Sequence, residues 1–537
     1  MRAHRSIKME TIRKSDEPQW IFSTRQLVAT LSPLLAAFLI GLTNGFHTVL
    51  LTQLILTSTT DTNNHEIWIT SNDDWYQSPF SGAVFAILGC YLSVIAMEKL
   101  GRKKSTMVIF QISLIGWIVI GFARNILYIK IGTTICSLGV GLFSPLIPVY
   151  IGEITDPSLR GLFLSMINPI MTFGVLMAVT FGSFLHWRIV NYICEACLLI
   201  CWSACVISQE SPIWLMNRDR KKEALYHWVH LRGWKSEGEY RAMETAIRRN
   251  VEQSKFVGST IISRLKYDLC SKDFLWPLSV SCMLFFVYYF SGYKLVKYHM
   301  LDIISTTVQS RSLVAEIIIT SMIFVTDIVA CFFVWKCNRR TLVIISAMGT
   351  ISSLFVLILY VYLNLEVSWL IITCCLCYYV FFGIGLIHLP WIYCGELFPS
   401  KLRSSGSSIV LGFSYICSVV DRMLAPESII PLEMQELCII YFALLLVGSS
   451  FLIWKLPETK DMTLLEIESM FDNESGDNNV NVNVMMIWTN KHPLFLWLCM
   501  FALCIYDLRN LDHLVNYNDR CRARVSLFER NAKRNIR

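Results

Sequence analysis

Long apolar segments alternate with short polar ones along most of this 537-residue chain. The apolar segments have about the 20 residues that a helix needs to cross about 30 Å of hydrocarbon. They are apolar on every face, whereas the strands of a membrane barrel alternate apolar and polar residues. The pattern predicts an all-α polytopic membrane protein with twelve transmembrane helices, at residues 28–52, 79–97, 106–123, 127–151, 162–185, 189–207, 276–299, 314–335, 341–361, 368–394, 406–423 and 437–455.

The composition narrows the class of protein. The chain is 54% hydrophobic and 16% charged, whereas a soluble domain carries about 25% charged residues. This balance excludes a soluble enzyme, a disordered chain and a disulfide scaffold. The nineteen cysteines lie largely inside apolar segments, where we interpret them as small apolar fillers. Since no metal-ligand set, phosphate loop or nucleophile–base set stands out, we expect neither an enzyme nor a bound cofactor.

Lysine and arginine are unevenly distributed between the polar segments. The N-terminal segment and every second loop after it are basic, while residues 57–77 contain four acids and no Lys or Arg. Short cytoplasmic loops retain positive charge, so both termini are predicted to be cytoplasmic. The net charge of +7 follows from this asymmetry. We therefore expect membrane lipid, and no nucleic acid, as a partner.

Charged residues at the helix ends recur in the second half of the chain. Two parallel six-helix repeats of this kind place a solute site between the halves, near the middle of the bilayer. We expect these residues to form a cytoplasmic gate, in which each half-exposed pair contributes about 1 kcal/mol. Alternatively, they only set the topology. The first set is Glu98, Arg102, Glu153, Arg160 and Glu210, and the second is Arg339, Arg340, Glu396, Arg403 and Glu458.

The repeat divides the chain into five parts. The linker between the halves alternates charged and apolar positions, which predicts amphipathic helices on the cytoplasmic side, and the tail is expected to be largely disordered after 472 because it is rich in Asn. The parts are a cytoplasmic N-terminal segment (1–27), the first six-helix half (28–207), the linker (208–274), the second half (275–456) and a cytoplasmic tail (457–537).

A series of short motifs runs in a fixed order along residues 28–472. The motifs are Glu98–Lys103, Tyr150–Gly161, Gln209–Leu215, Leu389–Trp391 with Glu396 and Arg403, and Pro457–Glu468. On these motifs the chain resembles the sugar-porter family of the major facilitator superfamily, and Gly395–Arg403 is most similar to the insect trehalose and hexose facilitators. The resemblance implies sugar transport by alternating access, either as facilitated diffusion or coupled to protons.

The chain departs from this family in the helices that contact sugar. In span five the family carries a Gln where this chain has Asn168. In span seven the family carries two Gln and one Asn where this chain has Tyr288, Tyr289 and Lys294. Trp391 of span ten is retained. Span eleven has a Ser-Tyr pair in place of Asn-Trp. The resemblance then implies solute binding by Asn168, Tyr288, Tyr289, Lys294, Trp391, Ser414, Tyr415 and His47.

Lys294 is the sharpest anomaly among these residues. A cation at the bilayer midplane costs at least about 2.5 kcal/mol and usually marks a pathway or a partner. Alternatively, Lys294 snorkels to the headgroups from the outer end of its span. The alternative to solute binding by Tyr288 and Tyr289 is that both serve as packing residues.

The first span bears on proton coupling. Proton-linked members of the family carry an Asp where this chain has His47, and no carboxylate lies elsewhere in the span. Histidine can titrate near neutral pH, yet the missing carboxylate favours a uniporter. Alternatively, His47 is an ordinary wall residue of the cavity.

The predicted function is facilitative transport of a sugar, hexose or trehalose, across the cell membrane. Two alternatives stay open: transport of a different small polar solute, and a non-transporting solute sensor or scaffold of the same fold. The second is motivated by the lost amides of span seven and by Trp335 and Asn338, which interrupt the second copy of the Glu98–Lys103 motif. The protein partners that a sensor would need are not predictable from the sequence.

Overall fold

The structure is a computed structural model. It describes residues 19–60, 72–233, 236–256, 271–308, 312–363, 368–424 and 434–471. The predicted disorder after 472 and most of the predicted N-terminal segment lie outside the described residues.

Within the described ranges the chain forms nineteen helices and no strand. This confirms the all-helical fold class. The helices are α1 (Gln19–Thr60), α2 (Asn72–Leu100), α3 (Arg102–Gly121), α4 (Ile126–Ile154), α5 (Pro157–Ser165), α6 (Ile167–Phe184), α7 (Trp187–Cys205), α8 (Pro212–Asn217), α9 (Lys221–Arg232), α10 (Glu237–Phe256), α11 (Lys272–Tyr289), α12 (Tyr293–Val308), α13 (Ser312–Lys336), α14 (Arg339–Tyr362), α15 (Ser368–Ile384), α16 (Leu389–Glu396), α17 (Arg403–Met423), α18 (Met434–Lys455) and α19 (Leu464–Ser469).

Eleven helical segments in the described part are long and apolar enough to cross a membrane. They coincide with eleven of the twelve predicted spans. The remaining span, predicted at 406–423, is helix α17, which is rich in serine and less apolar than the others. Helix α17 packs against α2, α4 and α11, so its serine-rich face is covered by other helices.

Spans five, seven and ten are each built from two consecutive helices. In span seven, α11 ends at Tyr289 and α12 begins at Tyr293. Gly292 lies between them with a φ of 85°, a backbone conformation that favours glycine. The Tyr378 hydroxyl donates a 3.0 Å hydrogen bond to the Ser291 carbonyl in the break, which satisfies an acceptor that a continuous helix would use internally.

The two halves meet along matching pairs of spans. Helix α2 of span two packs against α17 of span eleven, and α6 of span five packs against α13 of span eight. Helix α4 additionally contacts α16 and α17. In the repeat, span eight corresponds to span two and span eleven to span five. Interchanging the halves therefore turns the contact between spans two and eleven into the contact between spans eight and five. The contacts therefore follow the repeat that the sequence predicts.

The repeat is also visible where two helices begin. The Glu210 carboxylate accepts hydrogen bonds from the backbone N–H groups of the first two residues of α3, at 2.7 and 3.2 Å. Glu458 does the same for the first two residues of α14, both at 3.1 Å. A carboxylate is favoured at a helix N-terminus because it faces the positive end of the helix dipole. Burial nevertheless raises the pKa of Glu210 above its ordinary value, against the lowering effect of these N–H donors.

Arg232 joins the linker helices to the first half. Its buried guanidinium lies 3.2 Å from the Asp156 carboxylate and 2.8 Å from Glu239, and it donates a 2.6 Å hydrogen bond to the Thr155 carbonyl. It also stacks over the Trp228 ring, 4.2 Å from the centroid. These contacts bind α9 to the junction between α4 and α5, and helices α8 to α10 occupy part of the predicted linker.

Gly152 and Gly395 lie at a point where the backbones of the two halves approach each other closely. A Cβ atom at Gly152 would lie 2.5 Å from the Gly395 carbonyl oxygen, and a backbone atom cannot move aside as a flexible side chain can. We expect Gly152→Ala to lower the free energy of unfolding by about 1–3 kcal/mol, the usual range for overpacking. Thermal unfolding of the purified protein would measure the loss.

Gly238→Ala is the matched control for Gly152→Ala. A Cβ atom at Gly238 would meet nothing within 4 Å, and alanine favours a helix over glycine. We expect this variant to unfold at or slightly above the temperature of the unchanged protein. An equal loss of stability in both variants would contradict the close approach of the halves.

Candidate functional site

The first half carries a buried ion pair at the end where the charged residues gather, here called the charged end. The Arg102 guanidinium lies 2.8 Å from the Glu153 carboxylate, and the two side chains are 2% and 0% exposed. Glu153 also accepts a short hydrogen bond from the Ser211 hydroxyl. The carboxylate is therefore satisfied on both oxygens, as a buried charge requires.

The second half repeats this arrangement more loosely. Arg339 lies 3.7 Å from Glu396, again with both side chains almost fully buried. Thr459 donates a 2.7 Å hydrogen bond to Glu396, in the place that Ser211 takes beside Glu153. The same positions therefore carry the same chemistry, but the ion pair of the second half is longer by almost 1 Å.

The salt bridges of the predicted gate lie within each half, and hydrogen bonds connect the halves. Ser404, at the start of α17, accepts from Arg102 at 3.1 Å and donates to Glu98 at 2.7 Å. Arg160 donates a 3.1 Å hydrogen bond to the Met462 carbonyl, in the segment that follows the last span of the second half. In addition, Glu396 of the second half is among the charges that act on Arg160. The charged end is thus closed in this structure.

The hydrogen bonds of Ser404 with Arg102 and Glu98 have no counterpart at the equivalent positions of the second half. Trp335 occupies the position equivalent to Glu98 and is 46% exposed, with the Lys336 ammonium 4.9 Å from its ring centroid. Arg339 reaches toward Gly161, at the position equivalent to Ser404, where no side chain can accept a hydrogen bond. The departure noted in the motif therefore corresponds to a missing pair of hydrogen bonds.

Aromatic side chains fill the region around the break in span seven. The Tyr288 ring lies 4.9 Å from Tyr289, 6.2 Å from Tyr293 and 5.9 Å from Phe382, measured between centroids. Phe382 belongs to α15, so the cluster joins spans seven and ten. Tyr288 and Tyr289 therefore make the contacts expected of packing residues, but part of the surface of each side chain remains accessible.

Lys294 forms an ion pair with a residue that the sequence did not single out. Its ammonium lies 2.7 Å from the Asp421 carboxylate, which is 2% exposed, and 3.3 Å from the Ser418 hydroxyl. The Tyr441 hydroxyl donates a 2.7 Å hydrogen bond to the other oxygen of Asp421. The ammonium also lies 5.2 Å from the ring centroid of Tyr289. Lys294 is therefore explained by an internal partner, and snorkelling to the headgroups is not required.

A second ion pair holds the same short helix. Lys297, one turn after Lys294 in α12, lies 2.6 Å from the Glu316 carboxylate of α13. Helix α12 is thus linked to α17 on one side and to α13 on the other.

The other predicted solute residues lie in three different surroundings. Trp391 joins the aromatic region through Phe285, at 5.8 Å between centroids. The Tyr415 hydroxyl is 2.7 Å from the Ser144 hydroxyl of the first half, while Ser414 donates to a carbonyl of its own helix. The Nε2 atom of His47 is buried without a hydrogen-bond partner in the described part of the chain.

Asn168 lies apart from this group, at a contact between the halves. Its amide nitrogen donates a 3.1 Å hydrogen bond to the Ile387 carbonyl and is 3.2 Å from His388. Asp327 lies beside the same histidine. The structure thus brings the predicted residues of spans seven, ten and eleven together, and it places Asn168 in a second polar cluster.

The sequence reasoning missed Asp327, His388 and Asp421. All three are ionisable residues inside predicted spans, and such residues usually face a functional region or a partner. This rule singled out Lys294, and it would equally have selected its partner Asp421. In the described residues no group of three or more metal-ligating side chains is found.

Comparison with known proteins identifies relatives over most of the chain. The family model described as "Sugar (and other) transporter" matches residues 26–471. The chain is 28% identical to the facilitated trehalose transporter Tret1 of Bombyx mori, over 86% of this chain and 91% of that protein. It is 25% identical to Tret1 of Drosophila mojavensis, of which it spans 53%, or about half the length.

Among solved structures, the fold is similar to the proton:xylose symporter XylE, determined with bound 6-bromo-6-deoxy-D-glucose. The TM-score is 0.68 at 20% sequence identity, over 84% of this chain and 99% of XylE. At this identity the likeness concerns the fold, which is that of the major facilitator superfamily.

Proposed function

Since the chain belongs to the sugar (and other) transporter family, we propose that it carries a sugar across the cell membrane by facilitated diffusion. The chain is a multi-pass membrane protein and a transporter rather than an enzyme. The relatives named for trehalose transport favour trehalose as the solute, and a hexose is the second candidate. We further propose that the charged end is cytoplasmic, because positive charge gathers at that side of membrane proteins.

The observation that carries the proposal is the closure of the charged end by contacts between two similar halves. Alternating access requires such contacts to form in one state and break in the other. The hydrogen bonds of Ser404 to Arg102 and Glu98 are of this kind, because each joins the first half to the second. Such hydrogen bonds contribute about 0.5–3 kcal/mol each, so that a few of them bias the equilibrium without making it irreversible.

We propose that the solute binds at the accessible surfaces of Tyr288, Tyr289 and Trp391, next to the Lys294–Asp421 pair. Tyrosine hydroxyls both donate and accept hydrogen bonds, as sugar hydroxyls require. The indole face of Trp391 suits the C–H face of a sugar ring. His47, Ser414 and Tyr415 complete the proposed solute-binding set, and Asn168 belongs to it through the contact between the halves.

Uptake of labelled sugars by cells expressing the protein tests the proposal. We expect saturable uptake of trehalose or a hexose down its gradient, at a rate that is unchanged when the proton gradient is collapsed at constant external pH. The matched control is Ser404→Ala, which removes the Ser404 contacts and leaves the proposed solute-binding residues unchanged. It should alter the rate of uptake while the order of preference among sugars is kept.

Flat uptake across the sugar panel, with the protein shown at the cell surface, would contradict the proposal. A thermal shift on adding sugar without any flux would instead indicate the sensor interpretation.

A further inference from the structure

A buried polar cluster connects the two halves between the aromatic region and the charged end. Ser165, Asn168 and Thr172 follow one another at helical spacing along span five of the first half. They face Asp327 of α13 and His388, which precedes α16, both in the second half. Asp327 is 1% exposed and His388 is fully buried. Of these residues only Asn168 belongs to the solute-binding set proposed above.

The hydrogen bonds of the cluster fix the position of one proton. The His388 Nδ1 atom lies 3.1 Å from the Ser165 carbonyl oxygen. A carbonyl only accepts hydrogen bonds, so Nδ1 is the atom of His388 that carries the hydrogen. The Asn168 amide then donates to the Ile387 carbonyl and makes no hydrogen bond to Nδ1. In a neutral imidazole with this hydrogen on Nδ1, the Nε2 atom is an acceptor.

The acceptor Nε2 faces a second acceptor. It lies 3.7 Å from Asp327 Oδ1, and in the described part of the chain neither atom has a hydrogen-bond partner. The other carboxylate oxygen, Oδ2, already accepts a 2.7 Å hydrogen bond from the Thr172 hydroxyl. Two buried lone pairs that face each other repel, and burial without a partner is costly for both. One additional proton on Nε2 converts this repulsion into an attractive N–H⁺···O⁻ contact.

We propose that His388 and Asp327 form a binding site for a single proton at the interface between the two halves. The proton adds to Nε2 and no bond other than this N–H is formed. The resulting imidazolium is balanced by the Asp327 carboxylate. It also strengthens the hydrogen bond from Nδ1 to the Ser165 carbonyl, since a charged donor binds more strongly than a neutral one. Proton binding therefore stabilises the contact between span five and spans eight and ten.

The lysines of the neighbouring helix α12 do not balance the charge of the His388–Asp327 pair. The lysines of α12 are paired, Lys294 with Asp421 and Lys297 with Glu316. Helix α6 contributes no ionisable side chain. The titratable groups on which the Asp327 charge acts are Tyr288 and Tyr293 of span seven and Cys331 of α13. Arg160 of α5 and Glu396 of α16 belong to the same spans as the cluster but lie at the charged end.

Thermal unfolding of the full-length protein as a function of pH tests this site without requiring transport. The site adds stability only at pH values where the folded protein binds the proton and the unfolded chain, whose free histidine takes up a proton near about pH 6.5, does not. Over that interval the folding equilibrium shifts by up to about tenfold per pH unit. We expect the unfolding temperature to rise from about pH 8 to about pH 6.5. In Asp327→Asn the amide nitrogen donates to Nε2 permanently while its oxygen accepts from Thr172, so this pH-dependent rise should be lost.

Two further variants complete the design. His388→Gln removes the titrating ring and should also abolish the rise, which keeps the test valid if Asp327→Asn fails to fold. His186→Asn is the matched control, because it removes a histidine at the opposite end of the bundle and retains an N-cap acceptor for α7. It should keep the full pH dependence. A rise that persists in both Asp327→Asn and His388→Gln, or one that is absent from the unchanged protein, would overturn the proposal.

The uptake assay gives a second and separable result. Where sugar uptake is observed, its rate should change with pH in the unchanged protein and be flat in Asp327→Asn. A protein that shows the pH-dependent stability without any uptake would support the proton site and contradict the proposed transport. Uptake that is insensitive to pH in every variant would overturn a role for the proton in the transport cycle.

Discussion

Glu153→Ala is expected to abolish sugar uptake and to lower the free energy of unfolding by about 3–5 kcal/mol, the usual loss when one partner of a buried ion pair is removed. The substitution leaves the Arg102 guanidinium, which is 2% exposed, without its carboxylate. It also removes the acceptor of the Ser211 hydroxyl. Thermal unfolding and initial rates of uptake would measure the two effects.

Glu396→Ala is the control that the repeat provides. The equivalent pair in the second half is 3.7 Å long, against 2.8 Å for Arg102 and Glu153, and a longer pair gains less electrostatic energy. We therefore expect Glu396→Ala to be the milder change by about 1 kcal/mol or more. An equal or larger loss in Glu396→Ala would show that the difference in distance has no energetic meaning.

Lys294→Asn, which introduces the amide typical of the family, is expected to destabilise the protein by about 2–3 kcal/mol. This lies below the usual loss for a fully buried pair, because the Lys294 side chain keeps 37% of its surface exposed. The protein loses stability because the Asp421 carboxylate stays buried without its cation. Thermal unfolding would measure the loss, and sugar uptake should fall with it.

The double variant Lys294→Asn with Asp421→Asn tests whether the loss of stability comes from the unpaired charge or from the change of side chain. Once both charges are removed, no unpaired ion is left in the span, and two amides can hydrogen-bond to each other and to Tyr441. We expect the double variant to recover most of the stability lost by either single variant. Losses that simply add in the double variant would contradict the ion pair as the reason for the lysine.

The fold was predictable because membrane spans are long and their loop charges repeat. Eleven of the twelve spans follow from apolarity alone, whereas α17 is held by neighbouring helices in spite of its serines. The repeated Glu210 and Glu458 were predicted as gate residues, and they also accept hydrogen bonds at the starts of α3 and α14. A motif gives the position of a carboxylate but not the atoms that it contacts.

The partners within the site were not predictable to the same extent. Lys294 was identified as an anomaly, but its partner Asp421 lies 127 residues away in sequence, on a helix that only the tertiary fold brings within reach of the Lys294 side chain. Asp327 and His388 were overlooked for the same reason. Each is a single polar residue in an apolar run, and its meaning depends on which helix faces it.

The two ion pairs of α12 have a consequence for how the second half moves. Gly292 separates α12 from α11, and such a break would let the outer part of span seven swing on its own. Lys294 and Lys297 instead bind α12 to α17 and α13, so that swinging would require two ion pairs with buried carboxylates to separate. We expect the outer part of span seven to act as a brace between its neighbours, and the second half to tilt as one rigid body.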